Sequence, residues 1–259
     1  MSLLHSFIAG QIHLSTRFGY WFPEKFLVDG SRDFVQQFAP KYYLKLAPYA
    51  VVHDIGGGKR PLIPLLVKKS KNLIINGLDI DKNELLQAPS SYYDAAVEID
   101  ITRYAGHCDA DLVICQATLE HVLDAEKAMR GIASCLKSNG IVILFLPSRR
   151  AIFALANRYL PQKLKQKILY TIFPHTKHTQ GFQAYYDRAT VAEYTKMADD
   201  LGLQLIEKRA YYHSSYFTFF FPLYFVWRIY MLIAEKIGGE AAAETFCLAF
   251  QKRYAPINH

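Results

Sequence analysis

No two of the four cysteines, Cys108, Cys115, Cys135 and Cys247, stand in a C-x-x-C pair, and three fall in stretches read as strand or helix interior. Reduced, buried thiols are therefore expected, with neither a disulfide framework nor a metal site, and a cytoplasmic compartment fits. The N-terminus, MSLLHSFIAGQIHLSTRFGYWFPEKF, has no Lys or Arg ahead of its apolar residues and no small-residue cleavage site after them. It makes a poor export signal. Acidic residues are absent from 127–186, where ten Lys or Arg stand unopposed. The rest of the chain holds twenty basic against twenty-three acidic residues, so the whole excess behind the net charge of +7 sits in that block. Such an excess points to an anionic partner, either nucleic acid or a membrane surface.

With 259 residues, 51% of them hydrophobic and 20% charged, the chain can bury a large core without staples. Leu3, Leu4, Phe7, Ile8 and Ile12 recur at helical spacing, and a second helix is read over 34–46. Pro48 breaks that pattern before AVVHDIGGG, a β-branched run ending in glycines. Helices over 61–69, 82–86, 119–136 and 190–201 then alternate with strands over 73–78, 95–99, 111–115 and 141–146, and further strands follow at 203–209 and 246–252. Alternation of this kind means parallel βαβ units, and nearly all-apolar strands such as IVILFL mean a sheet covered on both faces. The expected fold is α/β, a doubly wound, mostly parallel seven-stranded sheet with helices on both faces and an antiparallel last strand. The expected division is a helical segment over 1–46 and one domain over 47–259, with helical cap insertions at about 149–186 and 213–242.

Ligands of such sheets bind beyond the carboxyl ends of the strands, so the residues just after each strand carry the function. The first strand is followed by Asp54-Ile55-Gly56-Gly57-Gly58, where glycines let backbone approach a ligand closely. The second leads to Asp79, 25 residues beyond Asp54, where a carboxylate can accept from both hydroxyls of a ribose. The third leads to Asp100 and the fourth to Gln116. Polar groups at four successive strand ends describe one nucleoside site. A hydride-transfer dinucleotide site is disfavoured because Pro61 stands where the third fingerprint glycine belongs, and a P-loop is excluded because His53 stands where its first glycine belongs.

VVHDIGGG, GLDID, VEIDIT and DLVICQATLEHVLDAEKAMRGIASCLKSNGIVILFLPS resemble the successive motifs of the class I S-adenosylmethionine-dependent methyltransferases. The resemblance is strong over about 49–148. It implies S-adenosylmethionine as cofactor, with Gly56 and Gly58 making room for its methionine portion and Gly57 leaving the loop unusually permissive. Asp54 would hold the ammonium group directly or through water, and Asp79 the ribose hydroxyls. Asp100 would accept from the adenine amine beside the Ile101 backbone, Ile80 and Leu119 would sandwich the purine, and Gln116 would line the path to the sulfonium. His121 sits near the site but is read as packing and hydrogen-bonding locally. Acceptor-side groups are expected between the fifth and sixth strands, where His175, His178, Tyr185 and Tyr186 could all serve a hydroxyl acceptor.

The insertions speak to the acceptor. Residues 149–182 interleave apolar positions with only basic ones, Lys163, Lys165 and Lys167 among them, which suits an interfacial helix pair on anionic lipid. Nine of the fifteen residues over 216–230 are aromatic. Pro222 and Arg228 interrupt that run, so it is read as an interfacial hairpin or a buried cap over an apolar pocket rather than a membrane span. A hydrophobic or lipid-like small-molecule acceptor and an anionic membrane surface are the expected partners, at the inner face of the membrane. Nucleic acid is disfavoured, since Cys115-Gln116-Ala117-Thr118 stands where base-amine methyltransferases carry Asn/Asp-Pro-Pro-aromatic. The alternative is a non-catalytic, membrane-associated nucleoside-binding module.

Overall fold

The structure is a computed structural model that describes residues 3–159, 183–215 and 217–253. Four short helical segments follow α1 (Leu3–Gly19): a 3-10 turn at Glu24–Phe26, α2 (Gly30–Asp33), a π-turn at Phe34–Phe38 and α3 (Pro40–Tyr43). Then come β1 (Val51–Ile55), α4 (Leu65–Lys71), β2 (Ile74–Asp79), α5 (Lys82–Leu86), β3 (Ala95–Glu98) and β4 (Ala110–Gln116). The remaining elements are α6 (Ala125–Cys135), β5 (Leu136–Pro147), α7 (Ile152–Tyr159), α8 (Val191–Asp200), β6 (Leu203–Tyr211), α9 (Phe221–Gly238) and β7 (Thr245–Lys252).

The seven strands form one sheet in the order β3-β2-β1-β4-β5-β7-β6. The β1/β2, β1/β4, β2/β3 and β4/β5 pairs are parallel, and β7 runs antiparallel to both β5 and β6. This is the expected doubly wound sheet with its antiparallel last strand. Strand order reverses between β1 and β4, which opens a crevice at their carboxyl ends.

Alternate residues of the central strands feed two cores. Val113, Cys115, Val142 and Leu144 pack with Met129, Ile132, Tyr194 and Met197 of α6 and α8 on one face. Leu112, Ile114, Ile143 and Phe145 pack with Phe34, Phe38, Tyr43 and Ile63 on the other. A third cluster, Phe26, Tyr212, Tyr224, Trp227 and Met231, joins α9 to the chain before α2.

Capping explains several departures from the expected boundaries. The helix expected over 61–69 begins only at Leu65, because Pro64 in extended conformation holds its N-cap position. That expected over 119–136 divides: Leu119–His121 is a single 3-10 turn, and α6 starts anew where the Asp124 carboxylate accepts from Lys127 N at 3.0 Å. Thr190 and Glu193 cap α8 reciprocally, Glu193 N donating to Thr190 Oγ1 at 3.2 Å while the hydroxyl donates to Glu193 Oε2 at 2.8 Å. Within the stretch expected as a helical cap insertion, the aromatic run leads into one 18-residue helix, α9, with Pro222 in its first turn, where its missing N–H costs nothing.

Candidate active site

Register brings the expected residues to one end of the sheet. Asp54 and Ile55 of β1 lie opposite Gly77 and Leu78 of β2, and Ile55 lies opposite Cys115 of β4, so the glycine loop, Asp79 and Gln116 leave adjacent strands side by side. Gly56 turns the chain with φ +68° after its N–H donates to Leu78 O at 2.8 Å. A Cβ there would overlap the Thr118 side chain, so both the torsion and the space require glycine. At Gly57 a Cβ would fall on the Asp54 carboxyl group.

Asp54 is buried, with 4% of its surface exposed. Desolvation pushes its carboxyl up to about 7, partly countered by Tyr93, whose hydroxyl lies 3.1 Å from Oδ2 and 3.2 Å from Gly58 O. Asp79 is half-buried, and its Oδ1 accepts from Asp81 N at 3.0 Å. Burial raises its carboxyl as well. Beside it Ile80 is 62% exposed, an aliphatic side chain open toward solvent at the rim of the crevice. Asp81 turns away to cap α5, accepting from Asn83 N at 2.9 Å.

Asp100 lies beyond β3, where it accepts from both Thr102 N at 2.9 Å and Thr102 Oγ1 at 2.7 Å. The hydroxyl bond above all holds its carboxyl below the usual range. Ile101 is buried, and Gly131 of α6 leaves room for its carbonyl. Gln116 is half-buried at the end of β4, and its carbonyl accepts from Thr118 Oγ1 at 3.1 Å.

Two expected positions need correction. Leu119 has no exposed surface and belongs to the core, so it is not open to a purine. Tyr186 is also buried in that core, with its hydroxyl 3.2 Å from Asn157 Nδ2, so it supports the segment instead of facing an acceptor. Tyr185 stays half-exposed. His175 and His178 lie outside the described residues, as do Lys163, Lys165 and Lys167. His121 does bond locally, its Nδ1 lying 3.0 Å from Gln183 O.

Three neighbours of the site were given no role by the sequence. Tyr93 falls between α5 and β3 with no pattern to mark it, while Thr118 and Glu120 stand inside the quoted motif without a function assigned to them. Glu120 is 6% exposed, its carboxyl is pushed up to about 8 by desolvation, and its Oε2 has no hydrogen-bond partner among the described residues. Its carbonyl accepts from Tyr185 N at 2.7 Å and Tyr186 N at 3.0 Å, tying the segment before α8 to the end of β4. Among the described residues no group of His, Cys, Asp or Glu is arranged to hold a metal ion.

A seven-stranded sheet with an antiparallel β7 inserted beside β5 defines a doubly wound α/β fold, and a glycine turn and two carboxylates stand at its switch point. Residues 27–208 match a family described as methyltransferase domain, which is well over half of the chain. The chain belongs to the S-adenosylmethionine-dependent methyltransferases: it is an enzyme, and S-adenosylmethionine is its cofactor. No curated protein matches the chain significantly in sequence.

Several solved structures share its fold. The [4+2]-cyclase SpnF aligns with TM-score 0.53 and 15% identity over 88% of this chain and 85% of that one. Phosphoethanolamine N-methyltransferase 2 of Haemonchus contortus, solved with S-adenosyl-L-methionine, aligns with TM-score 0.53 and 15% identity. That alignment takes in 94% of this chain but only 57% of the longer enzyme. A SAM-dependent methyltransferase of Methanosarcina mazei aligns with TM-score 0.50 and 17% identity over 85% of this chain and 98% of that one. At such identities the likeness speaks for the fold alone.

Proposed function

We propose that this methyltransferase acts on a hydrophobic or lipid-like small molecule, with the cofactor held along the ends of β1 to β4. The observation that carries the cofactor site is the register that sets a left-handed glycine, a buried carboxyl and a half-buried carboxyl at the ends of adjacent strands, with the exposed aliphatic Ile80 following. Those groups fit S-adenosylmethionine. Gly56 and Gly58 would admit the methionine portion, Asp54 would take the ammonium, and Gln116 would line the way to the sulfonium. Asp79 would accept from the ribose hydroxyls, Ile80 would cover one face of the purine, and Asp100 with the Ile101 backbone would meet its edge.

When bound, the sulfonium supplies an already activated methyl group. The chain's own share is to orient the acceptor in line with it and to exclude water. Tyr185, fixed to Glu120 through its backbone N–H, would stand on the acceptor side, and His175 and His178 belong to the same stretch of chain. An apolar acceptor is supported by the apolar surfaces of α7 and α9, which flank the end of β5.

Radiolabelled cofactor incubated with the protein and a fractionated cell extract tests the reading. Label should appear in the organic-soluble fraction. Label confined to the polar metabolites or to nucleic acid would overturn the acceptor class while leaving the transferase intact.

A further inference from the structure

The residues of α9 divide between two faces. Tyr224, Trp227, Arg228 and Met231 point inward and are buried. Leu223, Val226, Tyr230, Ile233 and Ile237 recur at steps of three and four and are all exposed, Ile237 to 83%. A soluble helix normally puts polar residues on that face. Arg228, the one charged side chain over 212–234, is withdrawn from it completely. Its Nη1 donates to Phe26 O at 2.7 Å, and its guanidinium lies 4.2 Å from the Phe22 ring centroid with Phe26, Tyr224 and Trp227 close around it.

Helix α1 is locked against α9. Phe18 touches Phe221 and Phe225 at ring separations of 5.5 and 5.1 Å, and Gln11 Oε1 accepts from Phe221 N at 2.9 Å. Ser15 Oγ donates to Thr218 O at 3.0 Å, and Gly19 leaves room for the Tyr224 hydroxyl. That contact leaves Leu3, Phe7 and Leu14 exposed, with Tyr20 and Trp21 at the helix end and Trp21 83% exposed. The first 23 residues contain one charged side chain, Arg17, and no acid.

We propose that the α1–α9 pair is a docking surface for the face of an anionic bilayer, lying in its plane. No helix among the described residues is long and apolar enough to cross a membrane, which leaves insertion to the depth of the headgroup and acyl boundary. Charge selects lipid over a second copy of the chain as the occupant. Two copies would bring together net charges of +7, whereas an anionic surface meets that charge with the opposite sign. The aromatic composition agrees, since Trp21, Tyr20 and Tyr230 combine an apolar body with a polar tip suited to headgroup depth.

The position of the pair links it to the enzyme. Thr245, the first residue of β7, lies opposite Pro147 at the carboxyl end of β5 and Tyr211 at that of β6. The helix pair thus flanks the same end of the sheet as the crevice. An apolar acceptor could pass from bilayer to site without crossing water. The docking itself does not depend on the acceptor reading.

Trp21 is the natural reporter, because the only other tryptophan, Trp227, is already buried. Adding vesicles of phosphatidylcholine with phosphatidylglycerol at low salt should shift emission to the blue, and brominated lipid should quench it. Phosphatidylcholine alone should do neither. Replacing the exposed Leu223→Ser, Val226→Ser, Ile233→Ser and Ile237→Ser together should weaken vesicle binding roughly a hundredfold, while cofactor affinity by calorimetry stays unchanged. An unshifted spectrum with anionic vesicles overturns the proposal, as does full vesicle binding by the fourfold variant. A blue shift that follows protein concentration without vesicles, with a dimer in sedimentation velocity, would assign the face to a second copy instead. Loss of cofactor binding by the wild-type protein would count against the cofactor site and leave the docking result standing.

Discussion

At about pH 6, S-adenosylmethionine should bind roughly tenfold more weakly than at about pH 8, because the carboxyl expected to meet its ammonium is half protonated near neutrality. Asp54 is pushed up to about 7 chiefly by burial, with Asp79 adding repulsion and Tyr93 favouring the ionised form through its hydroxyl. Only the carboxylate can pair with the ammonium, so binding must expel the proton. One pH unit below its midpoint about nine in ten molecules carry that proton, which costs about 1.4 kcal/mol of apparent affinity. Calorimetry in two buffers of different protonation enthalpy would count the proton released. Asp54→Asn should bind more weakly throughout and lose the pH slope. Tyr93→Phe removes a group that lowers the Asp54 midpoint, so its slope should move to higher pH. Asp79 is raised by burial too, and only the persistence of the slope in Asp79→Asn assigns it to Asp54. Affinity that is flat across this range in the wild-type protein refutes the argument.

Asp79→Ala should weaken cofactor binding by about 2 to 3 kcal/mol, as for hydrogen bonds to a charged group, and unchanged affinity by calorimetry would remove Asp79 from the site. Gly56→Ala should cost about 1 to 3 kcal/mol of stability in thermal melts, since its φ of +68° is unfavourable to alanine and Thr118 occupies the space. Asp54, Glu120 and Glu244 are pushed by burial up to about 7, 8 and 7, so the folded state holds protons that the unfolded chain has released. Cofactor-free stability should therefore fall as pH rises from the ordinary carboxylate range to about 8, and a melting temperature that climbs over that interval would contradict the burial of these groups. Tyr185→Phe should reduce turnover with cofactor affinity nearly intact, whereas parallel loss of both would make it a structural residue.

The sheet was legible because period and composition agree: apolar runs such as DLVIC and IVILFL are strands covered on both sides, and each ends in a residue that a crevice can use. Asp54, Gly56 and Asp79 were legible for the same reason, being polar or glycine where an apolar strand stops. Leu119 was misjudged because adjacency in a motif does not say which way a side chain points once a 3-10 turn intervenes. Tyr93 and Thr118 were invisible because they reach the site from other segments, and their meaning arises only when the Asp54 carboxyl and the Gly56 turn come against them. The outward stripe of α9 was masked by its own richness. A run apolar on every face reads equally as an interfacial hairpin or a buried cap, and only the contacts of Arg228 show which side faces in.

The bond from Arg228 to the Phe26 carbonyl joins residues 202 positions apart, while the parallel strands β1, β2 and β4 are built from contacts within a single hundred-residue stretch. Loop-closure entropy favours the near contacts, so the sheet should condense first and the α1–α9 layer should settle on it late. By the same reasoning the layer should open as a separate cooperative unit. Its amides should exchange hydrogen faster than those of β4 and β5, and lipid should slow them selectively. The surface proposed to meet the bilayer would then be the least protected part of the native protein in water and would complete its folding on the membrane.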